Sequence, residues 1–181
     1  EPKGNFRRLL RTNISKVIIP LFLLFAGTLS INAQPSLTRE TADEFGKVLI
    51  VYNGRICPMQ TYAIDFTKKL YGKKNYKDFT PCQVLTGFMF WGKEWMKEPI
   101  LKMKGSELRE KLGLDEYISP ISLFGQQGYI LGPYLQDAQN QQDDAVAKQL
   151  LDTDDKMMLL MDLMQGKTLK IFPYTSNKGD I

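Results

Sequence analysis

The sequence predicts an α+β, helix-rich chain: one transmembrane helix followed by a single small extracytoplasmic domain with about three short strands. Three observations carry that expectation. An uncharged apolar run, Val17–Ala33, follows a cluster of basic residues. Several stretches repeat apolar residues at helical spacing between glycine and proline stops, and a few short runs are β-branched or alternate. The boundaries follow as 1–16 for a cytoplasmic basic flank, 17–33 for the transmembrane helix or a signal-like segment, and 34–181 for the extracytoplasmic domain.

The membrane expectation rests on charge. Lys3, Arg7, Arg8, Arg11 and Lys16 face Glu1 alone, so the whole formal charge of +4 sits in the first 16 residues and the rest of the chain balances to zero. A balanced body offers no general field for phosphates, which excludes nucleic acid as the expected partner. Val17–Leu29 is apolar all round with Pro20 and Gly27 inside it, unlike a soluble amphipathic helix. Its 17 residues are at the short end for a span, which needs about 20. A secretory signal with Ala33 at the cleavage point and a retained span both remain open. Basic residues stay cytoplasmic in either case, so Gln34 onwards faces out, into the periplasm from the inner membrane. The chain opens on Glu1-Pro2-Lys3 and closes on the turn-like Thr175–Ile181, so a piece of a longer protein is expected.

Beyond Pro35 the elements follow in order. Thr38 is placed to cap a short helix that runs toward Phe45 and stops at Gly46. Lys47–Tyr52 reads as a buried strand. Asn53-Gly54 reads as a tight turn, since both residues tolerate positive φ. Pro58 suits the first turn of the next helix, whose apolar face is Met59, Tyr62, Ala63, Phe66 and Leu70, with Asp65, Lys68 and Lys69 toward water and Gly72 as the stop. Thr80-Pro81-Cys82-Gln83 fits a capping box, with Phe79 and Val84 at the staple positions. Val84, Phe88, Trp91 and Trp95 then repeat at helical spacing, interrupted by Gly92. Pro99–Lys104 reads as an edge strand. A short helix is expected between Ser106 and Gly113, then a loop-rich stretch over 114–133. One long helix is expected from about Tyr134 to Gln165, its clearest face being Val146, Leu150, Met157, Leu160, Met161 and Met164. Thr168–Phe172 alternates and reads as a closing strand.

Few residues suggest catalysis. The chain has no histidine, which removes the usual general base, the commonest metal ligand and the commonest haem ligand, and rules out Ser-His-Asp and Cys-His nucleophiles. No P-loop or dinucleotide glycine motif occurs. No catalytic residue and no metal site is expected. Cys57 and Cys82 are too far apart in sequence for a redox CxxC pair or a zinc knuckle. Each falls at an expected helix N-terminus, so a reactive thiol, a disulfide, or two small partly buried side chains all fit. Met157, Met158, Met161 and Met164 could ligate copper or haem through sulfur, but their helical spacing favours a core face. Trp91 and Trp95 read as core or membrane-facing residues. Asp152, Asp154 and Asp155 lack the EF-hand pattern and read as a solvated helix face.

The stretch Tyr52-Asn53-Gly54-Arg55-Ile56-Cys57-Pro58-Met59-Gln60-Thr61 resembles the N-G-R-x-x-P-x-Q/D-T segment of fused ResB/CcsA-type (system II) cytochrome c biogenesis proteins. The similarity continues through Leu70–Lys73, Tyr76, Thr80–Gly87, Trp95, Glu98–Ile100 and Leu169–Pro173, and so covers most of residues 38–124 and a tail patch. The resemblance implies an outward-facing region that precedes a CcsA-like membrane core, with Val17–Ala33 retained as a span. It implies haem for the full-length protein, with the CcsA-like/ResB-like core and apocytochrome c as partners. This chain departs from the complete pattern. It has no tryptophan-rich haem motif, no ligand histidines and no multi-span core, so the resemblance implies a supporting role rather than synthetase activity. Asn53, Gly54, Arg55, Pro58, Gln60 and Thr61 are the candidate binding residues. They either fix a strand–turn–helix joint, with Arg55 pairing a nearby carboxylate, or place Arg55 and Gln60 against a haem propionate or the partner core.

Three functions are weighed: a non-enzymatic assembly domain of a cytochrome c maturation complex; a free secreted or periplasmic binding protein whose leader is removed at Ala33; and a thiol-redox partner using Cys57 and Cys82.

Overall fold

The computed structural model describes residues 34–140 and 144–169. The basic flank and the run Val17–Ala33 lie outside those residues, as do Lys170–Phe172 of the expected closing strand.

Helix α1 (Arg39–Gly46) starts where Thr38 Oγ1 accepts from the Thr41 amide at 3.3 Å. It ends on a glycine for a packing reason: a Cβ on Gly46 would stand 2.7 Å from Cys82 Sγ. Strands β1 (Leu49–Tyr52) and β2 (Arg55–Pro58) form an antiparallel hairpin in the register Leu49↔Pro58, Ile50↔Cys57, Val51↔Ile56, Tyr52↔Arg55. Asn53 at φ 52° and Gly54 at φ 70° make the two-residue turn, the positive-φ pair that such hairpins select.

Helix α2 (Met59–Tyr71) buries the face expected of it, Met59, Tyr62, Ala63, Phe66 and Leu70, with Thr67 beside them. Gly72 closes it at φ 82°, its amide donating to Lys68 O at 2.8 Å. Helix α3 (Pro81–Phe90) starts on the full capping box: Thr80 Oγ1 accepts from the Gln83 amide at 3.3 Å, and Gln83 Oε1 accepts from the Thr80 amide at 3.0 Å. Every residue from Pro81 to Phe88 is buried. No charged residue occurs between Asp78 and Lys93, and a helix without a polar stripe belongs at the centre of a fold. Helices α1 and α2 pack on it.

The short helix α4 (Gly92–Trp95) folds Trp95 back over α3, fully buried. Only a glycine at 87 admits that ring, since a Cβ there would lie 2.2 Å from Trp95 Cε2. Trp95 Nε1 donates to Pro35 O at 2.8 Å, and Gln83 Nε2 donates to Leu37 O at 2.9 Å, so the segment leading into α1 is tied to α3 and α4.

Strand β3 (Leu101–Lys102) pairs with β4 (Tyr117–Ile118) around helix α5 (Glu107–Leu112). A 3₁₀ turn (Pro120–Leu123) leads into a second small hairpin, β5 (Phe124–Gly125) with β6 (Gly128–Tyr129). Helix α6 (Gly132–Asn140) and helix α7 (Ala145–Met164) follow. Helix α7 packs on α3, α5 and α6. Lys156, inside α7, is 1% exposed; its Nζ donates to Lys102 O at 2.7 Å and pairs with Asp152 Oδ2 at 2.6 Å, pinning α7 to β3. Burial pushes the Lys156 pKa down, partly offset by Asp152.

Several expectations are corrected. The strand over Lys47–Tyr52 is shorter and mostly not buried: Ile50 alone is in the core, because the strand sits in a two-stranded hairpin with one face uncovered. Pro58 ends β2 and caps α2 instead of opening its first turn. The long helix over 134–165 is two, since Asp144 leaves the helical conformation and its Oδ2 accepts from the Ala147 amide at 2.9 Å. The edge strand over 99–104 shrinks to two residues, and β2, β4, β5 and β6 are strands that the spacing does not announce.

Candidate functional site

Chain direction and alternation together place the candidate residues. In a hairpin, residues opposite each other share a face, and successive residues alternate. Ile50 points into the core, so its partner Cys57 shares that face, as do Tyr52 and Arg55 near the turn. Leu49, Val51, Ile56 and Pro58 share the other face. That second face is open: Leu49 is 53% exposed and Ile56 50%.

The inner face is braced by aromatic rings. Tyr52 stands edge-on to Tyr62 of α2 with ring centroids 5.1 Å apart, and its hydroxyl donates to Asp65 Oδ2 at 3.3 Å. Burial and the Asp65 carboxylate raise the Tyr52 pKa, and burial pushes Tyr62 up to about 12. Both remain neutral hydroxyls at physiological pH.

Asn53 and Gly54 are exposed at the tip, and Arg55 is exposed at the first position of β2. Among the described residues no carboxylate lies within ion-pairing distance of Arg55. The expected structural pairing of Arg55 is therefore absent among those residues. Pro58, Gln60 and Thr61 are also exposed, at the base of the hairpin and on the first turn of α2. Three strand steps separate Arg55 from Pro58, roughly 10 Å. Arg55 and Gln60 are both exposed, one beside the hairpin turn and the other on the first turn of α2.

The two cysteines are free thiols in separate settings. Cys57 lies in β2, half-buried, not at a helix N-terminus. Cys82 is on the first turn of α3, yet its thiol pKa is raised: burial comes first and Asp43 adds to it, so desolvation outweighs the helix dipole. No disulfide joins Cys57 to Cys82 in this structure.

The acidic cluster Asp152, Asp154 and Asp155 is engaged within the fold. Asp152 pairs with Lys104 and Lys156, Asp154 accepts from Tyr129 Oη at 2.8 Å, and Asp155 pairs with Lys69 at 3.6 Å. Among the described residues no group of three acidic or cysteine side chains could hold a metal ion. Met157 is buried in the core, and Met164 packs where a Cβ on Gly92 would stand, 2.7 Å from its Cε. Among the described residues no helix is long and apolar enough to cross a membrane.

Spacing alone does not point to Leu49 and Ile56. The signal that finds them is Asn53-Gly54 taken as a hairpin turn: it fixes the register, and Ile50 inward then forces both neighbours outward.

No family model matches the chain. It is similar to the protein NrfI of Wolinella succinogenes, 22% identical over 205 residues, which takes in 98% of this chain. The chain spans 22% of the length of NrfI.

Proposed function

We propose that residues 34–181 are an extracytoplasmic assembly and support domain of a membrane cytochrome c maturation protein, retained by Val17–Ala33 as an inner-membrane span. Haem delivery and attachment to apocytochrome c belong to the rest of that protein, and this region contributes no catalytic group. Its partner is the CcsA-like/ResB-like membrane core, met by the hairpin Leu49–Pro58.

One observation carries the reading. The segment with the most specific resemblance is also where the fold leaves side chains uncommitted: Leu49 and Ile56 half in water, and Arg55 without a carboxylate among the described residues. A joint that served the fold alone would bury its apolar residues and pair its cation. Apolar contact through Leu49, Val51 and Ile56 suits a protein partner, and the exposed Arg55 guanidinium, on the opposite face beside the turn, suits an acidic residue reached around the hairpin tip. The chain has no histidine to offer a haem; of its clustered methionines, Met157 and Met164 are held in packing and Met158 is exposed. No step through haem is assigned to this region.

A photo-reactive residue placed at Ile56 in the full-length membrane protein tests the reading. Cross-links to the membrane core are expected from position 56 and not from Lys69, which lies on the exposed side of α2. Equal labelling from both positions, or none from 56, overturns it. Sequencing the mature N-terminus separates the cleaved alternative: residues before Gln34 remain if the span is retained.

A further inference from the structure

A second uncommitted surface lies at the C-terminal end of α3. Phe90 is 51% exposed although the eight residues Pro81–Phe88 of its helix are buried. Its ring stands edge-on to two others: Phe45 of α1 with centroids 5.6 Å apart, and Trp91 with centroids 5.9 Å apart. Phe45 and Trp91 are each only partly buried. Three aromatic side chains from two helices therefore meet at the surface, next to the exposed cation Lys93.

The segment that enters α1 runs close to this cluster. Pro35 O accepts from Trp95 Nε1 at 2.8 Å, and the Trp95 ring lies directly on Gly87. Gly87 is one helical turn from Phe90 and Trp91, about 5.4 Å along the axis. The backbone two residues beyond Ala33 is thus fixed within about a turn of the aromatic cluster. Ala33 is the last residue of the uncharged run.

We propose that the Phe45–Phe90–Trp91 cluster seats in the interfacial layer of the bilayer leaflet that this domain faces. The inference rests on the reading of Val17–Ala33 as a retained span. The chemistry suits the place. Aromatic rings concentrate at the headgroup level, where an apolar body and a polar edge are both satisfied, and a neighbouring lysine extends its ammonium to the phosphates.

Tryptophan emission of the full chain in phosphatidylcholine–phosphatidylglycerol vesicles tests this, comparing brominated with unbrominated acyl chains. The chain has two tryptophans, Trp91 and Trp95. The expected result is a loss of emission in the brominated vesicles. W91F abolishes that loss and leaves the emission of buried Trp95 as a folded-state control; F90E weakens it without altering the circular dichroism spectrum. Retention in the vesicle pellet after an alkaline wash, with no bromine quenching, overturns the seat and leaves the span reading standing. Release by the wash overturns the span reading and the seat with it. Protection of Trp91 that needs the partner membrane core replaces lipid with protein as the occupant and also overturns the proposal.

Discussion

Helix α3 and the β1–β2 hairpin are both legible from local signals, yet they meet opposite fates. The helix is enclosed from Pro81 to Phe88, its first turn satisfied by its own capping box, and Gln83 reaches out to hold Leu37 O. The hairpin keeps one face in the core through Ile50 and turns the other to water. Cores are dense enough that each buried side chain is answered by a neighbour. A surface element with unanswered apolar and cationic groups is free to be answered by another molecule. The difference separates what the sequence spends on folding from what it leaves for contact.

Substitutions in the enclosed region should cost stability and little else. Phe88 is fully buried between Phe66 and Trp95, so Phe88→Ala should destabilise by about 3–5 kcal/mol, read as a lower denaturant midpoint. Gly87→Ala sharpens the point from the opposite direction by adding volume. Helix propensity favours alanine by about 1 kcal/mol, but the new Cβ meets the Trp95 ring, and a net loss of about 1–3 kcal/mol is expected in thermal unfolding. Thr80→Ala removes one half of the capping box and should cost about 1 kcal/mol.

A pH effect belongs to the same enclosed side. Glu98 accepts from Tyr76 Oη at 2.6 Å and pairs with Lys77 at 2.8 Å. Burial works to raise its pKa, but the Lys77 ammonium and the Tyr76 hydroxyl outweigh it and hold the carboxyl below its ordinary 4.5. The folded state therefore binds that proton less readily than the unfolded state. Stability from this group is complete above about pH 4.5 and is lost as pH falls through the lower folded value. Glu98→Gln should flatten the acid limb of a stability–pH curve; an unchanged limb would contradict the assignment.

The comparison also explains what was legible in the sequence. Thr80-Pro81-Cys82-Gln83 and the α2 face from Met59 to Leu70 are short-range patterns, and short-range physics decides them. Strand β2 is hidden because Ile56-Cys57-Pro58 abuts a helical face and Pro58 suits a helix start, while the pairing that makes it a strand is set by Asn53-Gly54 and by β1. The break between α6 and α7 is masked by glutamines and alanines that favour helix on both sides; the single competing signal is Asp144 as a cap. The Cys82 thiol shows a tertiary effect overriding a local one: a helix N-terminus lowers a thiol pKa, yet packing against Gly46 dries the sulfur and raises it. The candidate residues Asn53 to Thr61 could be found as a segment, but their exposure depends on which hairpin face meets the core.

The most direct test pairs two measurements on Arg55→Ala combined with Ile56→Thr in the full-length protein. An unfolding midpoint within about 0.5 kcal/mol of the parent is expected, as for exposed residues, together with a clear loss of cytochrome c maturation. Normal cytochrome c maturation by the variant would rule out the hairpin as a contact surface, and so would a loss of stability in step with maturation, since the hairpin would then serve the fold alone.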